Sequence, residues 1–228
     1  MVDNYHEPII GEEEFDLTSK FSRPEIGLCD NTPQIYLING LKRSGKDFTA
    51  NLLAKAFTAS GKSVEVISFA GPMKRIIAST FGISEAQLDI YKNAPDDFLI
   101  HTDSSKDCMN ISTTNFRTIL QRFGTEAIKP EFGNDVWAKL AGDTIKESSA
   151  DIVIISDFRF VEEYNYIYDI YGSATTTLYV QGTVTESADT HSSECKPAII
   201  FDHIIDNSGQ NDNVSNWIYQ HIKGLTCK

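Results

Sequence analysis

Gly40, Gly45 and Lys46 stand in the spacing GxxxxGK, inside the stretch IYLINGLKRSGKDFT of residues 35–49. Glycines at both ends of such a loop let backbone N–H groups turn inward. A helix starting just after it adds the positive end of its dipole, so the stretch makes a concave anion site. The lysine of this motif reaches the β- and γ-phosphates of a nucleotide. Both flanks fit: an apolar strand-like run precedes Gly40, and the helix-forming TANLLAKAF follows Phe48. Gly40, Leu41, Lys42, Arg43, Ser44, Gly45, Lys46, Asp47 and Phe48 are therefore the expected ATP-binding residues, with Lys46 catalytic.

Asp47 stands where this loop usually carries a Ser or Thr that ligates magnesium. An aspartate oxygen suits Mg²⁺, directly or through water. It also suits the positive end of a helix dipole, and the sequence leaves both roles open. A second acid, Asp157, ends the apolar run DIVIISD, at the carboxyl end of a strand where open parallel sheets bind ligands. Beside a phosphate loop it is the expected water-mediated magnesium holder, although an aspartate after a strand is otherwise a turn or cap residue. Arg159, two residues on, reaches a phosphate from the same tip or forms a surface ion pair. Arg117 and Gln121 are spaced i, i+4 on one helical face, which offers a guanidinium to a phosphate and an amide to a base edge. The competing reading is a solvated face opposite Ile119, Leu120 and Phe123.

These groups need a scaffold that brings distant segments together, and the chain predicts one. Strand-like runs at 35–38, 64–69, 151–157, 175–180 and 203–206 alternate with helical patterns at 73–81, 84–93, 113–128, 134–146, 162–170 and 213–222. Such alternation implies an α/β fold: a three-layer P-loop NTPase arrangement, with a mostly parallel sheet flanked by helices. Residues 94–112 are polar and irregular and read as a mobile insertion within a kinase-type domain spanning 34–228. Residues 1–33 hold eight acids against Lys20 and Arg23, half of the formal charge of −12, and read as an acidic arm.

That charge, from 20 bases and 32 acids in 228 residues, argues against broad nucleic-acid binding. It leaves room for a polyanionic small molecule gripped by local cations. No apolar run approaches the ~20 residues that span a bilayer. The N-terminus lacks a signal-peptide pattern, and the four cysteines form no CxxC or zinc pattern. A reducing, cytoplasmic location is expected, in an infected host cell if the chain is viral.

Six blocks in order carry a resemblance. They are GLKRSGKD, FAGPMK (69–74), RTILQRFGTE (117–126) with Trp137 downstream, IISDFRF (154–160), HSSE (191–194) and DHIIDNSG (202–209). Over roughly residues 34–223 the chain resembles the bacteriophage deoxynucleoside monophosphate kinases. The resemblance implies transfer of a phosphoryl group from ATP to a dNMP, with Mg²⁺ as cofactor. It further implies Asp157 as a metal ligand, with Asp47 the second candidate on its own chemistry, and Arg159 as a catalytic phosphate contact. Arg117, Gln121, Lys129, Lys74 and Trp137 would face the acceptor, and Asn207 would lie near the adenine. Lys129 stands where relatives often place an arginine, so it supplies charge without bidentate geometry. The partners expected are small nucleotides, and a homodimer is the assembly to test for.

The nearest rivals are P-loop kinases for phosphomevalonate or dephospho-coenzyme A. A non-catalytic nucleotide switch is a further alternative. It should carry NKxD, which is absent, and an early DxxG, whereas the DxxG here is Asp206 to Gly209 near the C-terminus.

Overall fold

The computed structural model describes residues 32–94, 115–183, 196–209 and 213–226. The acidic arm (except Thr32 and Pro33), nearly all of the 94–112 insertion and the HSSE block at 191–194 lie outside the described residues.

Five strands form one parallel sheet: β1 (Gln34–Asn39), β2 (Val64–Ile67), β3 (Ile152–Ile155), β4 (Thr175–Gln181) and β5 (His203–Asp206). Their spatial order is β2-β3-β1-β4-β5. The chain leaves β1 toward one edge and later crosses from β3 to the far side of β1. Loops at the carboxyl ends of β1 and β3 therefore diverge over the sheet centre, the place where open α/β sheets take ligands.

Side chains of a strand alternate between faces, and β1 sorts its own by that rule. Ile35 and Leu37 join Val153, Ile155, Trp137, Ala141, Ile145 and Ile167 beneath α6 (Val136–Glu147) and α7 (Val161–Tyr171). Tyr36 and Ile38 face the other way, onto Leu53 and Phe57 of α1 (Lys46–Ala59) and Val214 and Ile218 of α8 (Asn213–Thr226). All four residues of β3 are buried, which accounts for the unbroken apolar run at 152–155.

A smaller core stands apart from the sheet. Ile77 and Ala78 of α2 (Gly71–Thr80) pack on Leu88 of α3 (Glu85–Lys92) and on Phe116 and Leu120 of α4 (Phe116–Gln121). Tyr91 stacks on Phe116 at 5.6 Å, and Phe81 meets its edge at 5.2 Å. Ser84 and Gln87 form a reciprocal cap at the start of α3.

The pattern at 113–128 predicts one continuous helix, but the chain departs from it. After α4 the backbone widens into a π-helix over Arg122–Ile128, then resumes as the short α5 (Lys129–Phe132). The Trp137 indole N–H donates to the Gly124 carbonyl at 3.0 Å, an outside donor inserted into the helical ladder. Such insertions are a recognised cause of wide turns, which cluster at functional sites.

Helix α8 is locked to the sheet by aromatic and imidazole rings. The Tyr36 hydroxyl hydrogen-bonds His221 Nε2 at 2.9 Å, Trp217 stacks on His221 at 4.6 Å, and His203 meets the same ring at 5.4 Å. Burial, with the neighbouring His203, holds the His221 imidazole below its ordinary value of 6.5. As pH falls below about 6.5 the unfolded chain takes up this proton first, so the folded state loses stability through that window. The gap in unfolding free energy between wild type and His221→Gln should therefore shrink between pH 7.5 and 5. Urea denaturation at several pH values measures it, and a pH-independent gap would remove His221 from the acid sensitivity.

Candidate active site

The loop between β1 and α1 is shaped by residues that tolerate its turns. Arg43 and Gly45 both take left-handed conformations, at φ 65° and 93°. Gly45 is required on a second count, because a Cβ there would lie 2.3 Å from Asn207 Nδ2. At Gly40 a Cβ would come within 2.5 Å of both the Val180 carbonyl oxygen and Ser44 Oγ. Asn207 donates its side-chain N–H to the Ser44 carbonyl at 2.9 Å, while its backbone N–H binds the Gln181 carbonyl at 2.7 Å. The residue expected near the adenine thus braces the phosphate loop from the β4–β5 side. Lys46 Nζ donates to the Leu41 carbonyl at 3.0 Å, curling over its own loop.

The loop from Ser156 to Phe160, between β3 and α7, is held at each step. Asn39, buried at the end of β1, donates from Nδ2 to the Phe158 carbonyl at 2.7 Å. Asp157 accepts the Phe69 N–H through Oδ1 (2.8 Å) and the Ala70 N–H through Oδ2 (3.0 Å), which ties in the start of α2. Glu163 Oε2 accepts the N–H groups of Arg159 (2.8 Å) and Phe160 (3.1 Å).

Above these loops opens a cleft of about 1070 Å³, at the upper end of the usual range for ligand sites. Lys46, Asp47, Asp157 and Arg159 line it together with Lys74, Arg117, Gln121, Lys129 and Trp137. Asn115 accepts the Thr118 N–H at 2.8 Å and so caps the helix turn that carries Arg117. Lys74 and Lys92 share the Asp89 carboxylate, at 3.0 and 2.9 Å. Burial alone would raise the Asp89 carboxyl, but the two ammonium groups hold it below its ordinary value. Trp137 is a floor residue rather than an open surface, since its indole N–H is already spent on Gly124. Phe48 points elsewhere: it is exposed on α1 and is not among the lining residues.

Lys129 is the buried cation of the site, with its ammonium 3.2 Å from the centroid of the Phe160 ring. Burial lowers its affinity for the proton, and Glu163 and Glu162 pull the other way.

A divalent cation fits the acids present. Asp157 has one lone pair engaged on each oxygen, and a carboxylate offers about four acceptor sites, so oxygen capacity remains for water. Among the described residues no group of three or more His, Cys, Asp or Glu side chains could hold a metal alone. Two carboxylates with space for water and phosphate match the habit of Mg²⁺, which keeps part of its hydration shell.

Three charged cleft residues carried no motif in the sequence: Glu163, Asp89 and Lys92. The last two are spaced i, i+3, and Glu163 lies three residues after the cap position of a helix, so each had a local signal.

Residues 91–218 match the family model described as deoxynucleotide monophosphate kinase. Two solved structures are similar to the chain at low identity. The APS kinase of Mycobacterium tuberculosis has 10% identity and a TM-score of 0.41, over 86% of this chain and 98% of its own. A protein from Chloroflexus aurantiacus described as a kinase has 14% identity and a TM-score of 0.45, over 86% and 99%. No curated protein sequence matches the chain significantly. Among the described residues no helix is long and apolar enough to cross a membrane.

Glu163 also makes the stability of the protein depend on pH. Burial pushes its carboxyl up from 4.5 to about 7, against the pull of the Arg159 N–H, with Asp157 adding to the push. The unfolded chain releases this proton near 4.5, so stability is full below that value and is lost as pH rises through 7. At ~1.4 kcal/mol per pKa unit, the loss is on the order of 3 kcal/mol. Glu163→Gln cannot ionise, so it should gain stability relative to wild type as pH rises from 4.5 to 8. Equal pH slopes for the two proteins in urea denaturation would contradict this.

Proposed function

The chain belongs to the deoxynucleotide monophosphate kinase family, and we propose that it transfers the γ-phosphoryl group of ATP to the phosphate of a deoxynucleoside monophosphate. The observation that carries this reading is the charge of the cleft. Eight Lys and Arg side chains line it against four Asp and Glu, in a chain whose formal charge is −12. Such a reversal concentrates polyanions, and a volume of about 1070 Å³ is large for a single small ligand.

Residues of the phosphate loop and of α4 line the same cleft, which supports a donor site next to an acceptor site. ATP would sit with its polyphosphate against the loop amides, and Lys46 would exchange the Leu41 carbonyl for the β- and γ-phosphates. Arg117 would hold the acceptor's α-phosphate, and Gln121 would meet the base. An oxygen of that phosphate attacks the γ-phosphorus while the bond to the β-phosphate oxygen breaks, giving ADP and a dNDP. The acceptor is already an anion, so no general base is required. Magnesium, held by Asp47 and through water by Asp157, would supply further charge neutralisation on the donor phosphates. Positioning and electrostatics carry the acceleration in this class of reaction.

ADP release measured across all dNMPs and NMPs tests the assignment directly. Turnover with one or more dNMPs supports it. Turnover only with another phosphorylated acceptor, such as phosphomevalonate or dephospho-coenzyme A, would overturn it.

Lys46→Ala is expected to lower kcat by roughly a hundredfold or more, the scale of losing one preorganised charge contact. Near-normal kcat in a folded variant would remove the lysine from the mechanism. Arg117→Ala should raise the dNMP KM by about tenfold or more, since a charged hydrogen bond contributes ~1.5–3 kcal/mol. The ATP KM should hardly move, and Gln121→Ala should alter preference among bases. Equal weakening of both substrates by Arg117→Ala would contradict the two-sided cleft.

A further inference from the structure

Glu163 is 3% exposed, sits in the first turn of α7 and lines the cleft without any motif having marked it. Its Oε2 accepts two consecutive backbone N–H groups, those of Arg159 and Phe160. Phe160 is the cap residue of α7 in extended conformation, at φ −115° and ψ 146°, and its side chain has no acceptor of its own. The glutamate therefore does the capping from inside the helix. Both of those residues also line the cleft. Arg159 projects its guanidinium from the tied backbone, and the Phe160 ring forms the seat of the Lys129 ammonium, 3.2 Å from its centroid.

A surface Ser or Asp would cap the helix without burying a charge. Here burial of the carboxyl costs the fold stability above neutral pH, so capping alone does not account for a glutamate in the cleft wall. The arrangement does account for it: one acceptor atom sets the location of two cations contributed by different elements. Arg159 follows through its own backbone, and Lys129 through the ring beneath it.

We propose that Glu163 is a positioning residue of the phosphoryl-transfer site, placing Arg159 through its backbone and Lys129 through the Phe160 ring. This rests on the kinase reading above. The role depends on an oxygen at that reach rather than on its charge. Gln keeps the oxygen, whereas Asp keeps the charge but is one methylene too short to span both N–H groups.

Three variants, Glu163→Gln, Glu163→Asp and Phe160→Leu, separate this from a plain helix cap. Glu163→Asp should lower kcat/KM for the acceptor about tenfold, with ATP affinity by equilibrium binding unchanged within about twofold. Glu163→Gln should stay within about threefold of wild type in both parameters. Phe160→Leu, which keeps the backbone and removes the ring, should raise acceptor KM at least threefold with a smaller effect on kcat. Thermal melting shows that each variant is folded at the assay temperature. A Glu163→Gln variant as impaired as Glu163→Asp would overturn the role, as would a folded Glu163→Asp with wild-type kcat/KM. An unchanged acceptor KM in Phe160→Leu would overturn the Lys129 half of it. If wild type turns over no dNMP, the kinase reading fails separately. Binding of inorganic pyrophosphate then decides the positioning role: it should be at least threefold weaker in Glu163→Asp and Phe160→Leu than in wild type and Glu163→Gln, and equal affinities would overturn it.

Discussion

The hydrogen bond from Asn39 Nδ2 to the Phe158 carbonyl, 2.7 Å long and buried, joins the two loops on which the site depends. One is the glycine-bounded loop between β1 and α1, and the other carries Asp157 and Arg159. They come from segments 119 residues apart in sequence, yet their relative placement is set by neighbouring parallel strands and then locked by this contact. Parallel pairing of β1 with β3 brings the strand ends level, and the amide fixes the remaining offset. Asp157 extends the chain of contacts to a third loop, because its two oxygens hold the start of α2. Three segments thus share one floor tied by side-chain hydrogen bonds to backbone groups, while the buried Ser44 and Thr49 hydroxyls have no hydrogen-bond partner among the described residues.

The opposite wall is built differently. Ile77, Leu88, Phe116 and Leu120 form a core of their own, away from the sheet. Arg117, Gln121 and Lys74 stand on that unit, while Lys46, Asp157 and Arg159 stand on the sheet's loops. A cleft between two separately packed units admits large substrates without opening either core. The π-helical turn at Arg122–Ile128 follows α4 directly and is pinned where Trp137 donates to Gly124.

Much of this was legible in the residue pattern. All five strands were visible as short strand-like runs, and the fully buried β3 as a continuous apolar one. The phosphate loop was legible from two glycines and a lysine at fixed spacing, since backbone geometry leaves few alternatives there. Lys74, Arg117, Gln121, Lys129, Asp157 and Arg159 were candidates in sequence, and they line one cleft. What they contact was not legible. Nothing in DIVIISD says that Asp157 spends an acceptor site of each oxygen on backbone amides 87 and 88 residues away. Periodicity alone could not show that an indole from the next helix would widen the turn at Gly124. Asn207 was a candidate in sequence, but spacing does not encode that its amide braces Ser44. Glu163 escaped notice because a glutamate in the first turn of a helix ordinarily points to solvent and the helix dipole explains it.

The same glutamate shows how a basic cleft persists in an acidic protein. Cations gathered for phosphates repel one another, and the repulsion is strongest where water is scarce. Carboxylates interleaved among them offset it: Asp89 lies between Lys74 and Lys92, and Glu163 faces Lys129 from within the wall. A bound polyphosphate competes with these acids for the same ammonium groups, so its affinity is a difference between two sets of attractions. Too many carboxylates would close the site to anions, and too few would leave the cations to destabilise the fold. Four acids against eight bases sits between these limits, and leaves the cleft positive before any substrate arrives. The cost is carried where burial is deepest, at a carboxyl group that ionises only near neutrality.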